Sequence, residues 1–273
     1  MNVSLQMLPF DLLQMGHSWD HFVTTLLICS LRMLVAFMVL PAMSDEVLTG
    51  PNRAAVASIF GAYVAFGQPH ELVDQMTTSG LAIYAIKEGI IGLVLGFAAS
   101  SVFWIAQSVG AYIDDLSGYN NVQVSNPLRG EQSTPVSNLL GQLVITVFWA
   151  LGGMTFLLGA IFESYKIWPI AAGLPSMPGL TETFVIQQTD TLMQMTTKLA
   201  MPMLLMLALI DLSLGLIAKA ADKLEPSTLS QPIKGAVTLL LLALFVSIFI
   251  DQVKDEISLR ALSMQLHALV SAH

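Results

Sequence analysis

Six apolar blocks alternate with polar stretches along the chain of 273 residues. The first runs from Phe22 to Met43 and carries Arg32 in its middle. The second, Ala54 to Gly67, has only 14 residues. At about 1.5 Å per residue it falls short of a hydrocarbon core of about 30 Å. It therefore reads as a half-span, a re-entrant piece or a helix buried against protein. The third begins near Leu81, is interrupted by Lys87 and Glu88, and is uncharged from Gly89 to Ile113. The fourth lies in the uncharged stretch from Gln132 to Phe162. The fifth, Leu199 to Ala218, contains Pro202 and Asp211, and the sixth, Gly235 to Ile250, is again short at 16 residues. None of them alternates with period two, so the predicted elements are helices and not barrel strands. The expected fold class is an all-α integral membrane protein of helical hairpins, with short, partly membrane-inserted helices.

The connections refine this picture. Residues 114–131 (DDLSGYNNVQVSNPLRGE) predict a polar loop marked by Gly118, Pro127 and Gly130, with Asp114 and Asp115 at its start. Residues 163–181 hold three prolines and predict irregular chain. Residues 219–234 hold Lys219, Lys223 and Lys234 together with Pro226 and Pro232. Pro226 is expected to stop the preceding helix and Pro232 to open the next one, so the last two blocks read as a helical hairpin with a charged tip. The tail from Asp251 to His273 carries apolar residues at Val253, Ile257, Ala261 and Met264, flanked by leucines, which is a wide amphipathic face. It is expected to lie on protein or at the bilayer interface. Counting Lys and Arg under a six-span topology gives five on each side, so no positive-inside signal emerges. The dense basic cluster at 219–234 favours placing that loop in the cytoplasm.

Composition agrees with the block pattern. Hydrophobic residues make up 55% and charged residues 11%, with a mean hydropathy of +0.71, too little charge for an ordinary soluble surface. A net charge of −8 leaves no basic stripe for phosphates, which excludes nucleic acid as a partner. Residues 1–21 contain no Lys or Arg, so no cleavable signal is expected there. The single Cys29 sits in an apolar run and reads as a small buried hydrophobe.

No catalytic constellation is visible. The five histidines lie outside the apolar blocks, and no HExxH, GxSxG or Walker pattern occurs. No metal or cofactor is expected, and a membrane enzyme lacks a nucleophile, a base and metal ligands. Gly92, Gly96 and Ser100 recur every four residues and form a small-residue ridge, for packing within the chain or on another subunit. Gly152 and Gly153 serve close packing or mark a kink. Asp211 follows MPMLLMLALI and precedes LSLGLIA, where a carboxylate is costly unless paired or wetted. It belongs either to a proton or substrate pathway or to a structural hydrogen bond. Asp211, Gly215 and Lys219 share one helical face, which Asp222 and Lys223 continue.

The run GIIGLVLGFAASSVFWIAQSVGAYIDDLSG, then PLRGEQSTPVSNLLGQL, then FWALGGMTFLLGAIFESYKIWP resembles the T component of the type III secretion export apparatus, the SctT family, counterpart of the flagellar export protein FliR. A second signature, LIDLSLGLIAKAADKL followed by SQPIKGAVTLLLL, is similar to that family's Asp-Leu-x-Leu-Gly-Leu hairpin and Pro-Ile-Lys turn. Gly89–Pro169 and Leu204–Leu240 together cover a little over two fifths of the chain, and the first 80 residues agree only in character. Two departures stand out. The segment from Glu225 to Leu229 lacks the family's aromatic pair, and Ser117 stands where a basic residue is common.

The resemblance implies a non-enzymatic subunit of an export gate in the bacterial inner membrane. It implies one membrane domain over 1–273, resembling a fusion of the R-type and S-type export subunits: an R-like part at 1–168, an S-like hairpin at 199–250 and the tail at 251–273. It implies a helical channel shared with R-, S- and U-type subunits, contact with the V-type gate, secreted proteins in transit and membrane lipid. The loop at 114–131 would match the family's channel plug, and the hairpin tip would face the U-type switch subunit. The competing reading from another class is a proton-coupled secondary transporter of a small solute with Asp211 as its coupling site. Such transporters carry internal repeats, and none is convincing here.

Overall fold

The computed structural model describes residues 10–45, 47–68, 78–119, 124–125, 132–173, 185–220 and 226–257. Seven long helices follow one another among them: α1 (Phe10–Val39), α2 (Gly50–Phe66), α3 (Thr78–Ser117), α4 (Pro135–Ala150), α5 (Gly153–Ile167), α6 (Gln187–Ala220) and α7 (Pro226–Ile257). A short 3-10 turn, Pro41–Met43, joins α1 to α2. The only β pairing among the described residues is a two-residue ladder of Val124–Ser125 against Gln132–Ser133, antiparallel.

Several elements differ from the block pattern, each for a local reason. Lys87 and Glu88 do not interrupt the third block: α3 is one helix of 40 residues, about 60 Å long at ~1.5 Å per residue. Both side chains are paired inside the protein, so their charge has no reason to break the helix. The fourth block is two helices. α4 and α5 meet at 73°, and Gly152 at the bend has φ +72°, a left-handed conformation that suits glycine. Gly153 then packs against the Phe148 ring. Pro232 lies inside α7, while Pro226 takes the first helical position, where its missing N–H is no loss. α6 and α7, of 34 and 32 residues, extend past the apolar blocks through polar turns such as Gln187–Asp190 and Asp251–Lys254. Hydropathy marks only the apolar middle of such helices.

Among the described residues, four segments are long and apolar enough to cross a membrane: His21–Val39, Gly80–Ser117, Gln187–Ile217 and Ser230–Lys254. The bent α4–α5 pair is a fifth candidate. α2, at 17 residues, is not among them; it packs on α1, where Gly61 meets the Ser30 backbone.

The chain divides into two compact units. The first holds α1, α2, the part of α3 up to Phe97, the end of α5 and the turn after it. Its core includes Met33, Phe37, Ile91 and Leu95. The second holds α3 from Ala98 onward, α4, the start of α5, α6 and α7. Phe103 and Phe148 pack with tilted rings in its core, with Val144, Met203, Leu207 and Phe249 also buried. Val253 and Ile257 are buried as well, so the amphipathic tail begins as the last turn of α7; residues 258–273 lie outside the described residues.

Candidate functional site

In the second unit, residues from the expected plug loop and from the expected hairpin come together. α3 runs through Ser117, so Asp114 and Asp115 lie on its last turns and the loop starts at Gly118. Gly118 has φ +84° and ends the helix. Asp114 is fully buried and points at the N-terminus of α4. Its carboxylate accepts the Val136 N–H at 3.0 and 3.2 Å and the Ser137 N–H at 3.0 Å. Those amides are open donors at the start of a helix, where negative charge is favoured. Thr134, the residue in the capping position, makes no side-chain cap, so the carboxylate of α3 does that work across the loop. Gly110 permits it, because a Cβ there would overlap the backbone of Val136 and Ser137. The Ser137 hydroxyl donates to the Gln107 carbonyl at 2.9 Å. Asp115 is exposed; Pro127 and Gly130 lie outside the described residues.

The other side of the loop base meets α7. The Lys234 ammonium lies 2.6 Å from the Asp211 carboxylate of α6 and donates to the Leu116 carbonyl, in the last turn of α3, at 3.0 Å. Its side chain is 14% exposed and that of Asp211 42%. Gln231 lies over Gly118, and Gly235 leaves room for the Tyr119 hydroxyl. Asp211 therefore has a cationic partner from the neighbouring helix, and Lys234 is not a free tip lysine. Lys219 and Gly215 are exposed on α6, and Pro232 is exposed on α7. Lys223 lies outside the described residues.

The first unit holds a cluster that sequence reasoning missed. Arg32 forms a bidentate pair with Glu88, at 2.7 and 3.0 Å. Its remaining donors reach the Ser164 hydroxyl at 2.8 Å and the Trp168 carbonyl at 2.9 Å, and its guanidinium stacks 3.8 Å from the Tyr165 ring. Lys87 donates to the carbonyls of Pro169, Ile170 and Ala172 at 2.6–3.0 Å and lies 3.3 Å from Glu88. All three charged side chains are at most 1% exposed. Gly92 and Gly96 seat α3 on α1 at this level, against the backbone of Arg32 and Ala36; Ser100 is buried further along, in the second unit. The signal was available: opposite charges in two apolar blocks must find each other or stay costly.

A cavity of about 170 Å³ in the second unit is lined by Val109, Leu140, Pro202, Met203, Phe245 and Phe249, with Lys198 and Gln252 among its polar lining residues. It brings together no nucleophile with a base.

These features define a multi-pass helical membrane protein whose charged side chains anchor backbone turns. Residues 23–259 match the family described as Bacterial export proteins, family 1, and the chain belongs to that family. It is 33% identical over 218 residues to Yop proteins translocation protein T of Yersinia pestis, covering 78% of this chain and 82% of the relative. It is 27% identical over 231 residues to Surface presentation of antigens protein SpaR of Salmonella typhimurium, covering 83% and 84%. With Flagellar biosynthetic protein FliR of Bacillus subtilis it shares 23% over 246 residues, covering 89% and 95%. The protein is a non-enzymatic component of an export apparatus. Family membership sets aside the solute-transporter reading, and Asp211 is paired with Lys234.

Proposed function

We propose that this chain is the T-type subunit of a type III secretion export gate in the bacterial inner membrane. In this reading it forms one part of a helical channel for secreted protein substrates, with R-, S- and U-type subunits and the V-type gate as partners. The 1–168 part acts as the R-like portion, and the α6–α7 hairpin, which contains 199–250, acts as the S-like portion. The names of the Yersinia and Bacillus relatives, for translocation and flagellar biosynthesis, support a secretion role. The long exposed stripe of α6, with Met201, Leu205, Leu209, Leu212 and Leu216, suits contact with lipid or neighbouring subunits.

The observation that carries the gating reading is the loop base. Asp114 clamps the start of α4, Lys234 caps the end of α3, and the two strand pieces pair between them. These contacts fix both ends of the polar loop to the helices that carry it. The loop is the channel plug, and Lys219 on the exposed end of α6 faces the U-type subunit.

The test replaces residues 120–131 by a short Gly-Ser linker, keeping Asp114 and Gly118. Complexes that still co-purify are placed in planar bilayers. Raised ion conductance is expected; unchanged conductance in an intact complex removes the plug role. Lys219→Glu should assemble and lose capture of the U-type subunit, and full secretion by this variant removes the docking role.

A further inference from the structure

We infer that Lys234 is a positioning residue that ties the α6–α7 hairpin to the base of the 118–133 loop; the inference rests on the reading of that loop as a gate. Three residues of α7 carry it. Gln231, Lys234 and Gly235 stand at i, i+3 and i+4, so they share one helix face. That face meets Gly118, the Leu116 carbonyl and Tyr119 in turn. The contact thus runs along about one turn of α7 and along the short segment where α3 ends.

The chemistry at the centre is specific. The last carbonyls of a helix lack internal N–H partners and carry the negative end of its dipole. Ser117 donates to the Asp114 carbonyl at 3.2 Å, and Lys234 supplies a cationic donor to Leu116. Asp211, 2.6 Å away, holds the ammonium over that carbonyl. Gly118 lies in the left-handed region beside the contact, so the direction in which the chain leaves α3 is set here. Movement of α6 against α7 therefore changes the acceptors available to Lys234 and, through Leu116, the exit angle of the loop.

The test compares Lys234→Met, Lys234→Arg, Asp211→Asn and the swap of Asp211→Lys with Lys234→Asp, all in the co-purified complex. Hydrogen exchange at residues 116–119 and conductance in planar bilayers are both read. Lys234→Met should exchange there up to about five-fold faster, the upper limit for a partly exposed pair, and should leak more. Asp211→Asn should move both readings in the same direction by less. Lys234→Arg should behave as the parent. The swap restores an ion pair but sets a carboxylate against the Leu116 carbonyl, so it should resemble Lys234→Met. Unchanged exchange in Lys234→Met overturns the inference, and rescue by the swap overturns the role of the carbonyl contact. Faster exchange with unchanged conductance keeps Lys234 as the loop's anchor and overturns the gate reading instead.

Discussion

The Arg32 cluster of the first unit and the Lys234–Asp211 pair of the second solve the problem of charge in an apolar chain in opposite ways. In the first, Arg32, Lys87 and Glu88 are sealed, with every charge facing another charge, a hydroxyl or a backbone carbonyl. In the second, Lys234 and Asp211 form a partly exposed pair with one added backbone contact. A sealed cluster is stable only as a whole, because removing one member leaves the others buried and uncompensated. An exposed pair gains little and loses little when it opens. The first arrangement fixes the turn after α5, and the second can be exchanged for another contact. Stability thus belongs to the first unit's cluster, and adjustability to the second unit's hairpin.

The sharpest way to break this contrast is Glu88→Gln. Arg32 and Lys87 would lose the carboxylate they share, at a cost of about 3–5 kcal/mol. The expected outcome is failure to accumulate in membranes, read by immunoblot, and a Tm drop in any purified fraction. A wild-type Tm would mean that water or lipid headgroups reach the cluster. Next comes Gly92→Val, whose side chain would run into the Arg32 backbone and cost about 1–3 kcal/mol. Gly215→Ala is its control: beyond its own stretch of helix, no described atom lies within 4 Å of the added carbon, and the change should stabilise α6 by up to about 1 kcal/mol. Thermal melting of the two variants separates packing from propensity.

Asp114→Ala sits between the extremes. Losing the cap of α4 costs about 0.5–2 kcal/mol, and limited proteolysis should cut the 118–134 region sooner while the helices persist. The smallest stability effect is expected for Asp211→Asn, at most about 1 kcal/mol. Raising ionic strength to about 1 M, where the Debye length falls to about 3 Å, should shrink even that difference, whereas the effect of Glu88→Gln should depend on salt much less. Equal salt dependence of both variants would dissolve the contrast.

The residue pattern by itself determined that this is an all-α membrane protein, where its apolar segments lie, and that Asp211 needs a partner. Those properties depend on hydropathy and on the expense of a lone carboxylate, both local. The family resemblance was equally legible, because DLSLGLIAKAADKL and SQPIKG are contiguous signatures. Helix ends were less so: Asp114 looked like loop because a charged pair beside a glycine has the composition of a turn, and only its partners on α4 explain a buried carboxylate there. Lys87 and Glu88 looked like a break for the same reason. Which helices meet was decided by the tertiary structure alone. Arg32 and Glu88 lie 56 positions apart, and Lys234 and Leu116 lie 118 apart. No periodicity spans such distances; side-chain geometry and the need to satisfy buried donors and acceptors select those partners only once the helices have packed.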